Sequence, residues 1–251
     1  MLGEVLCSGN SENKENECVC ENGGLPQSKH VHQKRKPLKI AVEGNIGCGK
    51  STFLQYFSKC PWAKVFPEPI SMWKDVHGHN TLKMMYEDPR RWSLAFQSYV
   101  QLTMQNIHCA QLSKKVRMKF MERSIFSARY CFVENLHFSN LMHGVDSAIL
   151  DEWFHWILKN VDVNLDLIVY LKASPQTCHN RIQRRQRGEE SAVSLKYLEV
   201  LHDLHEDWLI RENRFKLPAP VLVLDAECDV DTLVKTFKSQ EKMLFGGNIS
   251  I

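Results

Sequence analysis

The chain has 251 residues, 43% of them hydrophobic and 24% charged, enough for a sizeable core without disulfides or a structural metal. Those proportions exclude a wholly disordered chain. No apolar run approaches the ~20 residues of a membrane helix, and a net charge of +3 is too small to argue for nucleic acid. Neither a membrane nor a nucleic-acid partner is therefore expected.

Residues 1–36 read as a disordered tail, because Met1, Leu2, Leu6 and Leu25 with three Val cannot offset the entropy of ordering. Its first 24 residues hold five Glu against one Lys, and residues 25–36 hold Lys29, Lys34, Arg35 and Lys36. That composition lacks a secretory h-region and is too acidic for a mitochondrial presequence. The expected compartment is cytoplasmic, with nuclear entry through Lys34-Arg35-Lys36 as a second address and mitochondrial import disfavoured. Lys14-Glu15-Asn16 also matches a short degron pattern. The body, residues 37–251, reads as one domain.

The first predicted strand is Lys39–Glu43, followed by a helix over Gly49–Phe57. A strand over Ala63–Phe66 comes next, then a long helix over Pro89–Leu112 with Pro89 in its first turn. Further strands are expected at Val116–Met121, Leu165–Leu171 and Pro220–Leu224. Helices are expected at Ser124–Phe138, Asp146–Lys159, Pro175–Arg187, Ser194–Ile210 and Val230–Leu244. The runs Leu167–Leu171 and Val221–Leu224 are continuously apolar, as strands covered on both faces are. Strands alternating with helices imply an α/β fold with a parallel sheet. Nine Cys with no C-x-x-C pair suggest free, mostly buried thiols, and no His–carboxylate set has transition-metal spacing.

Between the first strand and helix lies Gly44-Asn45-Ile46-Gly47-Cys48-Gly49-Lys50-Ser51, which fits G-x-x-x-x-G-K-[ST]. Such a P-loop curls backbone N–H groups around phosphate at a helix N-terminus. Lys50 is expected to reach the outer phosphates, Ser51 to hold Mg²⁺ through its hydroxyl, and Thr52 to cap the site. This points to a nucleoside triphosphate. The chain lacks the Asn-Lys-x-Asp of GTPases.

Glu68, in Phe66-Pro67-Glu68-Pro69, and Glu122-Arg123-Ser124 both fall at carboxyl ends of strands, where doubly wound sheets bind ligands. A carboxylate there can take a hydroxyl proton. Arg181, Arg184, Arg185 and Arg187 form a cationic cluster that can close over transferring phosphates or remain a solvated helix face.

These motifs resemble the deoxyribonucleoside kinase family, in the branch of the mitochondrial thymidine and insect multisubstrate enzymes. The likeness runs from about Leu38 to Asp229. It rests on Gly44–Thr52, Pro67-Glu68-Pro69 with Trp73, Met85-Tyr86, Phe96–Val100, Met121–Tyr130, and Glu189-Glu190 before Leu195–Leu198. It implies a P-loop NTPase-type doubly wound five-stranded parallel sheet with surrounding helices and an Arg-rich lid. ATP and Mg²⁺ are the implied cofactors, and a homodimer the implied assembly.

By the same resemblance, Glu68 is the base for the 5′-hydroxyl and Arg123 steadies it. Glu122 is the magnesium-side acid. Gln97 pairs with the base edge, Trp73 and Phe132 wall the base, and Tyr86 and Glu190 meet the 3′-hydroxyl. Gln183 stands where some members have a lid Arg, and Cys228 with Asp229 falls in the adenine loop. Val100, Met104 and Ala128 bear on the substrate; the uncharged Met104 and Ala128 leave room for a thymine methyl, which implies thymidine and deoxycytidine as substrates, with purine deoxynucleosides as a further class. The implied product is a deoxynucleoside monophosphate for salvage and DNA precursor supply. The main alternative is a thymidylate-type nucleoside monophosphate kinase. Those enzymes carry Arg before the Glu-Pro, where this chain has Pro67. A non-enzymatic accessory subunit is the other, disfavoured by the intact Lys50, Ser51, Glu68 and Arg123.

Overall fold

A computed structural model describes residues 36–185 and 193–244, with side chains through Gln240. The expected tail through residue 35, together with Arg187 and Glu190, lies outside the described residues.

Strand β1 (Leu38–Glu43) leads through the P-loop into α1 (Lys50–Phe57), and β2 (Ala63–Phe66) leads into two short helices, α2 (Ile70–Lys74) and α3 (Thr81–Glu87). The long α4 (Pro89–Cys109) returns to β3 (Met118–Glu122). Next come α5 (Ile125–Ser127), a π-helical turn (Ala128–Val133) and α6 (Glu134–Phe138), one continuous rod. Then follow α7 (Gly144–Asn160), β4 (Leu167–Lys172), α8 (Pro175–Arg185), α9 (Leu195–Leu209), β5 (Val221–Asp225) and α10 (Val230–Leu244).

The five strands run in parallel in the order β2-β3-β1-β4-β5. Period-two alternation along β1 splits the core. Ile40 and Val42 face α1 and α10 through Phe53, Phe57 and Phe237, while Ala41 faces α4, α7 and α9. Every residue of β4 but the last is buried, which is why its sequence is an unbroken apolar run.

Strand three begins at Met118 rather than Val116, because Leu38 pairs with Met118 and fixes the register. The fourth and fifth strands likewise begin later and end one residue later than expected, set by the pairs Ile40–Leu167 and Ile168–Val221. Helix α4 stops at Cys109, short of the expected Leu112. The buried Lys119 ammonium takes the carbonyls of His108 (2.8 Å) and Ala110 (3.4 Å), capping it. Helices α2 and α3 were not expected. Asn80 caps α3 by accepting from Lys83 N–H, but neither segment is long enough to show a helical period. Of the six described Cys, three are buried, two partly so, and Cys109 is exposed.

Helix α1 leaves β1 on one face of the sheet and α5 leaves β3 on the other, so a crevice opens at the carboxyl ends of these adjacent strands. Among the described residues, no helix is long and apolar enough to cross a membrane.

Candidate active site

One cavity of about 740 Å³ occupies that crevice and runs from the P-loop to a pocket between α2, α3 and α4. At the phosphate end, Gly47 has φ +83°, and a Cβ there would meet the Cys178 carbonyl at 2.6 Å, so the loop is pressed against α8. Gly49 caps α1 at φ +105°, the left-handed turn that directs the helix N-terminus into the cavity. The Lys50 ammonium is held by the carbonyls of Gly44 (3.1 Å) and Asn45 (2.8 Å). Ser51 donates to Glu122 Oε1 at 2.6 Å, bringing together the two residues expected at a metal.

Glu68 and Arg123 meet at the middle of the cavity. Arg123 Nε lies 2.9 Å from Glu68 Oε1 without lining its N–H up as a hydrogen bond. Arg123 has φ +64°, which costs about 1–3 kcal/mol for a residue with a side chain. Three contacts hold it there: its N–H donates to the Val42 carbonyl (3.0 Å), Nη1 donates to the Gly44 carbonyl (2.9 Å), and the guanidinium lies 4.6 Å above the Phe132 ring. Burial raises the Glu68 carboxyl above the usual range, opposed by Arg123 and reinforced by Glu122. Burial works against the Arg123 charge, but Glu68 and Glu43 hold it above its ordinary value.

At the far end, Trp73, Gln97, Val100, Met104, Ala128 and Phe132 line the pocket with Tyr86. The stripe Phe96, Val100, Met104 on α4 supplies one wall at helical spacing. Trp73 is locked by its indole N–H, which donates to Thr103 Oγ at 2.9 Å. The π-helical turn re-aims Ala128 and Phe132 at the cavity, a feature that no spacing in the sequence signals.

Four residues expected at phosphate either lie off the cavity wall or have other partners. Gly44 and Asn45 do not line the cavity; the Asn45 amide donates instead to the Leu198 carbonyl of α9 at 2.8 Å. Arg184 is exposed and does not line it either, because α8 turns that residue outward. Arg181 does line it, yet its Nη1 is given to the carbonyls of Cys48 (3.2 Å) and Ala226 (2.9 Å), which makes it a strut between α8 and the P-loop. Arg185 and Asp229 also line the cavity. Residues without an expected role join them: Ile70, Leu82, Met85, Leu136 and Tyr197. Burial pushes the Tyr197 phenol up to about 12. Tyr197 lies in the Leu195–Leu198 stretch that carries the family resemblance.

The deoxynucleoside kinase family model matches residues 40–245. The chain belongs to the deoxynucleoside kinase family. This deoxynucleoside kinase is 48% identical over 219 residues to thymidine kinase 2, mitochondrial, of Macaca fascicularis, covering 87% of this chain and 81% of that one. It is 49% identical over 213 residues to the Homo sapiens protein of that name, covering 85% and 79%. With deoxycytidine kinase of Rattus norvegicus it shares 37% identity over 234 residues, covering 82% of this chain and 87% of that one. The kinase is thus an ATP-dependent phosphotransferase that phosphorylates deoxynucleosides. A nucleoside monophosphate kinase is not favoured.

Proposed function

We propose that this kinase transfers the γ-phosphoryl group of ATP to the 5′-hydroxyl of thymidine and deoxycytidine, yielding monophosphates for salvage and DNA precursor supply. The observation that carries this reading is the Glu68–Arg123 pair, set midway in one cavity between a P-loop and a pocket lined by Gln97, Met104 and Ala128. Glu68 takes the hydroxyl proton as the oxygen attacks, and Arg123 keeps its carboxylate turned toward that oxygen. Lys50, Arg185 and the loop N–H groups meet the charge that spreads over the transferring phosphoryl oxygens. Trp73 and Phe132 sandwich the base, Gln97 reads its edge, and Tyr86 meets the sugar, with Glu190 as its expected companion.

Ser51 and Glu122 offer adjacent hard oxygen donors, which suit Mg²⁺. Bound there, Mg²⁺ would neutralise phosphate charge. Ala128 and the uncharged Met104 support thymidine among the substrates, since they leave space beside Gln97 for a methyl group. The relatives named thymidine kinase 2 and deoxycytidine kinase support the same pair of substrates.

Incubation of the purified protein with ATP, Mg²⁺ and each deoxynucleoside tests this. Formation of dTMP and dCMP is expected; turnover of dTMP but not thymidine would overturn the reading.

The kinase is also proposed to form a homodimer through α4 and α7, which pack side by side. Ile149, Trp153 and Trp156 of α7 and Leu102 of α4 are all exposed. A Trp153→Glu variant that sediments as the wild type does would refute that interface. The proposed compartment is the cytoplasm or nucleus; the relatives named mitochondrial give the competing address. Imaging of the full chain with a C-terminal tag decides between them.

A further inference from the structure

Glu43 ends β1, lies fully buried outside the cavity lining, and has no part in the chemistry described above. Its Oε1 accepts from Ser124 Oγ at 2.6 Å, while its Oε2 meets no hydrogen-bond partner among the described residues. A buried carboxyl is costly to keep, so its position asks for a reason. The reason lies in what its two neighbours hold. The Val42 carbonyl accepts from the Arg123 N–H at 3.0 Å, and the Gly44 carbonyl accepts from Arg123 Nη1 at 2.9 Å. Residues 42, 43 and 44 therefore grip Arg123 and Ser124 at three successive points, just where the backbone takes its strained left-handed turn.

The Ser124 hydroxyl has one proton and two lone pairs. Its oxygen accepts from the N–H groups of Phe126 (3.2 Å) and Ser127 (3.4 Å), capping α5, and its proton goes to Glu43. Every capacity of the hydroxyl is used. Without an acceptor at Glu43, that proton would have to turn toward the helix N–H groups, and the cap and the Arg123 turn would loosen together.

We propose that Glu43 is a positioning residue: through Ser124 it clasps the turn that aims Arg123 at Glu68. The clasp also joins the entrance of the phosphate cradle to the acceptor side of the site. It rests on the reading of Glu68 as the base. Burial raises the Glu43 carboxyl to about 7, against the opposing pull of Arg123, Ser124, Ser127 and Lys50, so a neutral amide is a fair replacement for it.

Steady-state kinetics with thymidine and ATP on Glu43→Leu, Glu43→Gln and Ser124→Ala test this, with melting temperatures measured alongside. Glu43→Leu and Ser124→Ala should each lower kcat about ten- to a hundredfold, the loss expected when a reacting group is misplaced by about 1 Å. KM for ATP should stay within about threefold, because the P-loop backbone is untouched. Glu43→Gln, which keeps an acceptor for Ser124, should restore kcat to within about fivefold of the wild type. The Glu43→Leu/Ser124→Ala double variant should be no slower than the slower single. The proposal falls if Glu43→Gln is as slow as Glu43→Leu, if the kcat losses follow the melting temperature, or if the double variant loses both factors multiplied. Should Glu43→Leu not fold, Ser124→Ala, which leaves β1 intact, carries the same test. Glu68→Gln is run in parallel. If it keeps its kcat, the base assignment fails; if it is inactive while folded Glu43→Leu is fully active, the clasp alone fails.

Discussion

Replacing Glu68 by Gln removes the proposed base while keeping the shape of the side chain. A positioned general base contributes about 10²–10⁴ in rate, equivalent to about 3–5 kcal/mol of barrier. The structure says how much else changes. Glu68 has 17% and Arg123 5% of its side chain exposed, so their ion pair is poorly screened. Losing one member of a buried pair costs most when the other is left uncompensated. Here Glu43 and Glu122 also act on Arg123, and a Gln oxygen still faces its guanidinium. We expect a stability loss of only about 1–2 kcal/mol, or roughly 2–8 °C in melting temperature. Lys50 is held by the Gly44 and Asn45 carbonyls and not by Glu68, so ATP binding should persist. The assay is conversion of labelled thymidine to dTMP, paired with calorimetric ATP binding. A kcat within tenfold of the wild type refutes the assignment, as does a loss of activity explained by lost ATP affinity.

Other substitutions probe the pocket and its support. Ala128→Asp places a carboxylate at a position only 5% exposed, beside Gln97 and Met104, and should lower kcat/KM for thymidine at least about tenfold more than for deoxycytidine. Equal losses for both nucleosides would sink the pocket assignment. Thr103→Val deprives the Trp73 indole of its buried acceptor, at about 1–3 kcal/mol, and should raise KM for thymidine with little change in KM for ATP. An unchanged nucleoside KM would show that Trp73 is held by packing alone. Glu206 of α9 accepts from Tyr170 Oη (2.8 Å) and Lys172 Nζ (2.6 Å) of β4. Burial pushes its carboxyl up, but these two donors hold it below its ordinary value overall. Its stabilisation is therefore present above the unfolded-state pKa and lost as pH falls through the folded one. Glu206→Gln should cost about 1–2 kcal/mol at pH 7, and the gap to the wild type should close in acid. A pH-independent gap in urea melts would contradict the ion pair.

The alternation of strand and helix patterns implied an α/β domain, and the P-loop with its flanking strand and helix pointed to the phosphate end of the site, because that motif is local in the chain. Apolar runs such as Leu167–Leu171 announced strands buried on both faces, which depends only on residue type and length. Strand ends were less legible, since register is decided by a neighbour: Met118 begins β3 because Leu38 lies beside it. The same holds for side-chain direction. Glu68 and Arg123 are 55 residues apart by number, and only the adjacency of β3 to β1 and β2 brings them within 2.9 Å. Asn45 sits inside the phosphate motif yet serves α9, and Arg181 sits inside the cationic cluster yet braces the loop. The sequence by itself determined which chemical groups are available and which segments carry them. Only the tertiary structure decided which groups converge, because convergence is a property of strand order, helix face and the π-helical turn, none of which is encoded by nearest neighbours in the chain.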